Sequence, residues 1–466
     1  HKAGDFKPYL LKSSDGGKSW TSIGGSLPER GSVWAIAEDH LNPNLLFVGT
    51  EFGAFFTVDG GKKWLKFAGL PTIAVRDITI HRKRSDLVLA TFGRGFYVLD
   101  DYSPLRDAAK TVEERVALLP VPDALMYVEA SPLGGGPRGA QGDALYTARN
   151  PATGAVFTWF LRNELRTLRA RRLAAEKAAV SKGQDVAYPS WDSLRVEQNE
   201  EAPAVVLTVT DEQGNVIRRV NGATGAGFQR VNWDFRYPAS TPVTTATPIA
   251  GGEGDEEAGG FGGPRGPLAP PGTYKVTLLL RQSGRETVAG TQTFHAVPLG
   301  QGPLSTADRV AVTAFHQQTA KLQRAALGTN AALAEAENRL GMLRRAIEVT
   351  PGAPAMLSER GRALVGRLRE LRVELSGDPV IEAAQEPTPP TLLNRIQRVV
   401  GNTWSNTMAP TATHRRNYEI ASQQLADFLP KLRSALDELR KLEDDAEAAG
   451  APWTPGRIPA WRPNQQ

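Results

Sequence analysis

The sequence predicts a multidomain protein of the β plus α class, with repeated β-sheets first, a strand-rich middle and a helical bundle at the end. Three observations predict this order. A motif ending in tryptophan occurs twice near the front, short apolar runs bounded by turn residues fill 146–300, and a helical period of apolar residues begins after 301. With 466 residues, the chain also exceeds the roughly 250–300 residues that one hydrophobic core can serve.

The front of the chain carries a repeat. The motif Ser/Thr-x-Asp-Gly-Gly-Lys-x-Trp occurs at residues 13–20 and again at 57–64, 44 residues further on. This spacing is typical of one four-stranded blade of a β-propeller. A degenerate third copy follows at an offset of 41 and ends at Asp101 without the glycine pair or the tryptophan, as a last blade would. Residues 1–105 are therefore predicted to be terminal propeller blades.

The motif resembles the Asp box shared by bacterial sialidase repeats, sortilin-type receptors and related propellers. In such a turn the aspartate accepts hydrogen bonds from its own backbone, the glycines take positive φ, and the tryptophan packs between neighbouring sheets. We therefore expect Asp15 and Asp59 to stabilise turns rather than to catalyse a reaction. The predicted structural positions are Ser13, Asp15, Gly17, Trp20, Thr57, Asp59, Gly61 and Trp64.

A proline-containing linker is predicted over 106–145, followed by an immunoglobulin-like or fibronectin-like β-sandwich over 146–300. Short strands separated by turn residues favour this fold. A helical insertion is expected at about 162–182 and a mobile loop at about 238–269. The predicted strands cover 154–161, 204–210, 216–220, 229–235 and 273–280.

Each of two charged segments in the middle region could bind a ligand or could simply be a solvated surface. The arginines between 162 and 172 could grip a phosphate backbone, but without interleaved aromatic residues a solvated helical face is favoured. The acidic run at 251–257 could hold Ca²⁺, but without the regular spacing of oxygen ligands a solvated linker is favoured.

Residues 301–466 are predicted to form a helical bundle with an extended tail. Apolar residues at helical spacing indicate helices from Ser305 to about Ile347, over Met356–Leu375, over Leu392–Val400 and over Tyr418–Ala448. Trp453 in the tail is expected to dock on the bundle.

Composition narrows the chemistry. The chain has no cysteine, and Lys plus Arg exceed Asp plus Glu by only 55 to 50, so neither thiolate chemistry nor a nucleic-acid partner is predicted. The six histidines lack the spacing of metal ligands, and no metal or other cofactor is predicted. No run approaches the roughly 20 apolar residues of a membrane span. The chain starts at His1, inside a repeat, so its beginning is expected to be cut off.

The order of motifs at 91–101, 150–156, 202–204, 271–274 and 452–457 resembles one family along essentially the whole chain. It is the large bacterial exported propeller proteins called sortilin-like or "glycosyl hydrolase, bacterial neuraminidase repeat" proteins. The resemblance implies a secreted or periplasmic protein of which this is the carboxy-terminal portion, with the amino-terminal part of the propeller missing. The word hydrolase in this family name comes from the repeat, so the resemblance implies a shared fold more than a shared reaction.

The first functional hypothesis is a non-catalytic propeller protein that binds a protein, peptide or glycan, with the sandwich and helices as a docking scaffold. The alternative is an exported sialidase-like glycosidase whose site lies mainly in missing blades. Arg76 and Arg94 are its candidate catalytic residues, with Asp77 and Tyr97 near them in sequence. Arginines serve such a site because they bind carboxylates bidentately. Exposed blade arginines are ordinarily solvated, and the substrate and oligomeric state stay open.

Overall fold

The computed structural model describes residues 4–127, 153–243, 265–282, 284–300, 304, 306–404 and 408–459. Within these residues the chain is a mixed β and α protein, with five sheets and eight α-helices. The parts of the predicted linker and of the predicted mobile loop that fall at 128–145 and 244–264 lie outside the described residues.

Residues 11–99 form three antiparallel sheets, which we call the front sheets. A two-stranded hairpin is followed by a sheet of order β3-β4-β5-β6 and a sheet of order β7-β8-β9. The strands are β1 Leu11–Lys12, β2 Thr21–Ser22, β3 Val33–Glu38, β4 Leu46–Thr50, β5 Gly53–Thr57, β6 Leu65–Lys66, β7 Val75–His81, β8 Asp86–Thr91 and β9 Phe96–Leu99. The first Asp-Gly-Gly turn joins β1 to β2, and the second joins β5 to β6.

The second and third front sheets pack closely against each other. A β-carbon at Gly49 in β4 would lie 2.5 Å from the carbonyl oxygen of Val75 in β7, so only glycine fits there. Asp39, which follows β3, connects the second front sheet to the segment after β9. Its buried carboxylate accepts hydrogen bonds from Tyr102 at 2.6 Å and from Arg106 at 2.9 and 3.0 Å. Burial alone would raise the pKa of Asp39, but these two donors hold it well below its usual range.

Behind Asp101 the chain builds two further sheets, which we call the middle sheets. Their orders are β10-β12-β15 and β11-β17-β16-β13-β14, and one cluster of buried side chains from both sheets forms their common core, including Phe157, Trp159, Trp233 and Phe294. A short helix, α1 Ala108–Thr111, precedes them. The strands are β10 Val116–Leu118, β11 Ala124–Met126, β12 Ala155–Leu161, β13 Ala204–Asp211, β14 Val216–Gly222, β15 Gly227–Trp233, β16 Gly272–Gln282 and β17 Arg285–Pro298.

The segment expected as a linker over 106–145 contributes two of these strands. Strand β10 pairs with β12, and β11 pairs in parallel with β17, the last strand of the middle sheets. The apolar side chains of Leu118 and Ala124 are buried in the common core. Up to residue 127, this segment therefore belongs to the middle sheets.

The predicted insertion is a pair of helices rather than one helix. Helix α2 spans Leu168–Ser181, and a second helix that the sequence analysis did not predict, α3, spans Trp191–Gln198. Arg172 of α2 joins them, because it pairs with Glu197 of α3 and with Glu176 of its own helix, both at 2.7 Å. Neither helix contains a buried residue.

The carboxy-terminal region is a bundle of long helices. Its helices are α4 Thr306–Glu348, α5 Ala355–Ser376, α6 Pro379–Ala383, α7 Leu392–Thr403 and α8 Ala412–Ala448. All except the short α6 contribute leucines or other apolar residues to one core. Trp453 of the tail is exposed rather than docked, and its indole N–H donates to the carbonyl of Arg457. The Arg457 side chain enters the bundle, where it donates to the carbonyl of Glu443 at 2.7 Å.

Candidate functional site

Trp34 is an extra residue in β3. The pairing between β3 and β4 steps from Val33 opposite Thr50 to Ala35 opposite Gly49. The register therefore shifts by one residue at Trp34, which is the arrangement of a β-bulge. A bulge re-aims the side chain that it carries.

Arg76 is an extra residue at the equivalent place in β7. Here the pairing steps from Val75 opposite Thr91 to Asp77 opposite Ala90. Strands β3 and β7 are edge strands of their sheets and lie against each other. The two bulges therefore direct their side chains to one place between the two sheets.

The side chains at this place form a connected cluster. The guanidinium carbon of Arg76 lies 3.8 Å from the centre of a Trp34 ring and 5.4 Å from that of Phe92. The indole N–H of Trp34 donates to Glu51 Oε2 at 2.7 Å, and the same oxygen is 4.0 Å from Arg76 Nη2. We call Trp34, Glu51, Arg76 and Phe92 the Arg76 platform.

Glu51 and Phe92 reach the platform from equivalent hairpin turns. They follow Thr50 and Thr91, and each threonine hydroxyl donates to a glycine carbonyl across its turn, at 3.0 and 2.7 Å. Loop residues held in this way present their side chains at fixed positions. The platform therefore combines two bulge residues and two turn residues from successive sheets.

The platform is exposed and only partly charge-compensated. Phe92 is 69 % exposed, and the side chains of Arg76 and Glu51 are each 38 % exposed. At such exposure an ion pair contributes about 0–1 kcal/mol to stability, and a cation–π contact about 0.5–1 kcal/mol. These contacts position the side chains without removing them from solvent, so the platform can contact a ligand.

The other predicted catalytic candidates do not join the platform. Arg94 lies exposed in the turn after Phe92, whereas the contacts of Arg76 are with the platform residues. The carboxylate of Asp77 accepts from the N–H of Ile78 at 2.9 Å, and Tyr97 packs against the core of the front sheets. The geometry thus brings Arg76 together with two aromatic rings and the Glu51 carboxylate, and leaves Arg94, Asp77 and Tyr97 outside this cluster.

Sequence reasoning missed Trp34, Glu51 and Phe92. A signal was present, because Val33-Trp34 and Val75-Arg76 occupy the same place in successive repeats and precede alternating apolar residues. The pairing register shows that both second residues are extra. A single strand read by itself does not reveal a bulge, because the bulge is defined by the partner strand.

The two Asp-Gly-Gly turns share one hydrogen-bond pattern. Asp15 accepts from the N–H and hydroxyl of Ser19 at 2.9 and 2.7 Å and from the hydroxyl of Ser13 at 2.8 Å, which together hold its pKa at about 2. Asp59 accepts from the hydroxyl of Thr57 at 2.6 Å and from two backbone N–H groups at 3.0 Å. Burial raises the pKa of Asp59, but these donors lower it overall. Both carboxylates are used within their own turns.

The two motif tryptophans have different surroundings. Trp64 is 5 % exposed, packs with apolar residues of the front sheets, and donates its indole N–H to the carbonyl of Ile23 at 2.7 Å. Trp20 is 61 % exposed and donates to Gly17 within its own turn at 3.1 Å. Packing between sheets, expected for both, therefore describes Trp64 and not Trp20.

Two classes of site can be checked across the described residues. They contain no group of three or more histidine, aspartate or glutamate side chains placed to hold a metal ion. Among the same residues, no helix has the length and apolar character needed to cross a bilayer.

Comparison with known proteins gives only distant likenesses. No family model matches the chain, and no curated protein matches it either. Solved structures with some similarity include the extracellular domain of a hybrid two-component system from B. thetaiotaomicron, with 9 % identity and a TM-score of 0.19 over 62 % of this chain and 30 % of that one. The extracellular domain of a one-component system from the same organism has 12 % identity and a TM-score of 0.17, over 63 % of this chain and 31 % of that one.

An ancestral GH74 enzyme has 12 % identity to this chain and a TM-score of 0.18, over 62 % of this chain and 36 % of the enzyme. The chain thus spans about a third of the length of the solved structures that it resembles. Overlaps with TM-scores below 0.2 do not establish a shared fold.

Proposed function

We propose that this chain is part of an exported, secreted or periplasmic, non-catalytic binding protein whose Arg76 platform contacts a protein or peptide ligand. In this proposal the front sheets over 1–105 are Asp-box propeller blades. The middle sheets are an immunoglobulin-like sandwich over 146–300 that β10 and β11 extend, and the bundle over 301–466 completes a docking scaffold. The observation that carries the proposal is the pair of equivalent bulges that place Trp34 and Arg76 in one exposed cluster.

The chemistry of the platform favours a polypeptide ligand. Tryptophan and arginine are the residue types that most often dominate protein interfaces, especially when they are held in place before binding. The exposed Phe92 ring adds an apolar contact beside the cation.

The platform is less suited to glycoside hydrolysis. Most glycosidases use two carboxyl groups, one protonated and one ionised, on either side of the scissile bond. The platform holds one carboxylate, that of Glu51, which accepts from Trp34 and faces Arg76.

Peptide selection on the purified full chain tests the proposal. Peptides enriched from a displayed random library are measured by fluorescence anisotropy against Arg76→Ala, Trp34→Ala and the control Arg82→Ala, an exposed residue directly after the far end of β7. We expect each platform variant to weaken binding at least about tenfold, as loss of an interface hot spot does. The control should bind like the unchanged protein.

Two results would contradict the proposal. One is enriched peptides that bind Arg76→Ala as tightly as the unchanged chain. The other is turnover of fluorogenic glycosides that is present in the unchanged chain and lost in Arg76→Ala, which would favour the hydrolase.

A further inference from the structure

A second candidate site lies at the junction between the middle sheets and the helix pair, separate from the Arg76 platform. It is a pocket of about 230 Å³ at the point where β10, β12, β16 and the segment leading into α2 meet. Water in the liquid takes about 30 Å³ per molecule, so this volume holds one sugar-sized molecule. We call it the junction pocket.

The junction pocket is lined by two arginines that lack partners. Arg115 and Arg171 both line it, and neither side chain has a hydrogen bond or ion pair in the described part of the chain. Their neighbours differ, because Arg172 pairs with two glutamates and Arg162 donates to backbone carbonyls. Two guanidinium groups at one pocket repel each other unless an anion lies between them.

The one carboxylate on the pocket rim is already compensated. Glu164 lines the pocket, and its carboxylate pairs with Arg166 at 2.7 Å. The pocket therefore keeps a net positive charge from Arg115 and Arg171. A ligand with an ammonium group, such as an amino acid, would meet two cations and no free carboxylate.

The other residues that line the pocket indicate which chemical groups the rest of the ligand carries. Leu161, Leu165 and Leu280 provide an apolar surface, and the amide side chains of Asn163 and Gln282 lie among them. Amides both donate and accept hydrogen bonds, as is needed to bind hydroxyl groups. The apolar side chains suit the C–H face of a small ring.

A carboxylate fits the pocket better than a phosphate. Phosphates are commonly bound at helix N-termini, but N–H groups in the first turn of α2 already donate to side chains of this protein. Leu168 N–H donates to Glu200 at 2.6 Å, and Ala170 N–H donates to the capping Thr167 at 3.1 Å. Planar guanidinium groups match a carboxylate bidentately.

We propose that the junction pocket binds a small hydroxylated carboxylic acid of the size of a single sugar acid. Its carboxylate lies between Arg115 and Arg171, and its hydroxyl groups bond to Asn163 and Gln282. The site belongs to the middle sheets and is independent of ligand binding at the Arg76 platform.

Calorimetric titration of the full chain tests this proposal with matched probes. Glucuronate and glucose differ at one carbon, as do galacturonate and galactose, so each pair isolates the carboxylate. We expect at least one acid to bind about tenfold or more tightly than its neutral counterpart, the effect of a charge-assisted pair. Arg115→Gln and Arg171→Gln should each remove this preference while leaving the folded spectrum in circular dichroism unchanged.

Arg169→Gln is the matched control, because Arg169 is exposed on the same helix, two residues before Arg171, and does not line the pocket. It should bind the acid like the unchanged chain. The proposal is overturned if neutral and acidic sugars bind equally, or if Arg169→Gln loses as much as Arg171→Gln. Absence of binding by both acids at millimolar concentration, or tighter binding of glucose 6-phosphate, would also overturn it. Arg76→Ala should leave binding of the acid unchanged, so the proposals for the two sites can be refuted independently.

Discussion

His316 is a buried imidazole where the middle sheets meet the helical bundle. It lies on α4, is 4 % exposed, and its Nε2 atom has no hydrogen-bond partner among the described residues. Burial lowers its pKa to about 4, and the positive charge of Arg236, from the middle sheets, acts in the same direction. Between about pH 4 and pH 6.5 the folded protein therefore keeps this ring neutral, whereas an unfolded chain protonates it.

This difference predicts a loss of stability in weak acid. The unfolded histidine takes up its proton near pH 6.5 and the folded one near pH 4, so the free energy of unfolding falls as the pH drops through this interval. One pKa unit corresponds to about 1.4 kcal/mol, which gives a loss of about 3 kcal/mol. Urea unfolding of the unchanged chain and of His316→Gln over this range measures it.

The variant should lack this part of the pH dependence. Carboxylate titrations occur in both proteins and cancel in the difference between the two curves. A difference that stays constant across the interval would show that His316 does not carry the effect.

At the scale of elements, the two Asp-Gly-Gly turns share the bonds that a Ser or Thr hydroxyl and a backbone N–H donate to the aspartate, but their neighbours differ. Gly17 has φ 90° and Gly61 has φ 97°, so both need the left-handed region that favours glycine. A β-carbon at Gly17 would meet only Trp20, at 3.8 Å, whereas one at Gly61 would meet Ile23 at 2.8 Å. The second turn is packed into the front sheets and the first is open.

Alanine at the two positions should therefore have unequal costs. We expect Gly17→Ala to lower the free energy of unfolding by about 1–2 kcal/mol through backbone strain alone. Gly61→Ala should lower it by a further 1–3 kcal/mol or so, because the added methyl group also overlaps Ile23. Denaturant titration of both variants measures the difference, and equal losses would mean that the two turns are packed alike.

Some strands and helices could be predicted from the sequence, and others could not. The strands near 154–161 and 204–210 and the helix over 356–375 agree with the structure within a few residues, because apolar period and turn residues are local signals. Strands β10 and β11 were missed, since three residues beside prolines carry no alternation. Their pairing depends on distant partners, as with Ala124 opposite Ala296.

The candidate sites follow the same division. Arg76 could be selected from the sequence because it lies at a strand-like position in a predicted blade, but its partners depend on register between strands. The junction pocket could not be predicted, since Arg115 and Arg171 lie on opposite sides of the segment 128–152 and come together only through the sheets. Charge patterns in the sequence gave no reason to choose these two among many arginines.

At the scale of the whole molecule, single arginines connect the parts. Arg230 of β15 donates to the backbone carbonyls of Asp100 and Asp101, where the front sheets end. Arg236 donates to the carbonyl of Gly266 at 2.9 Å and to that of Trp404, at the end of α7. The middle sheets thus hold both the front sheets and the bundle through guanidinium contacts to backbone.

Arg230→Ala tests the first of these connections. Loss of a hydrogen bond costs about 1 kcal/mol, which corresponds to about fivefold faster local opening. We expect hydrogen exchange at Asp101 and Tyr102 to accelerate by this factor, while exchange in the bundle stays unchanged. Arg219→Ala, an exposed residue on β14, is the control. Equal exchange in the two variants would mean that Arg230 does not join the parts.

The parallel pairing of β11 with β17 sets an order on synthesis. Residues 124–126 leave the ribosome early, but their partner at 296–298 emerges only after all the other strands of that sheet. Until then β11 has no neighbouring strand in its sheet, and β16 has an unpaired edge to which other chains can add. A shortened gene product that ends before residue 285 would keep that edge permanently, so any useful fragment has to extend through Pro298.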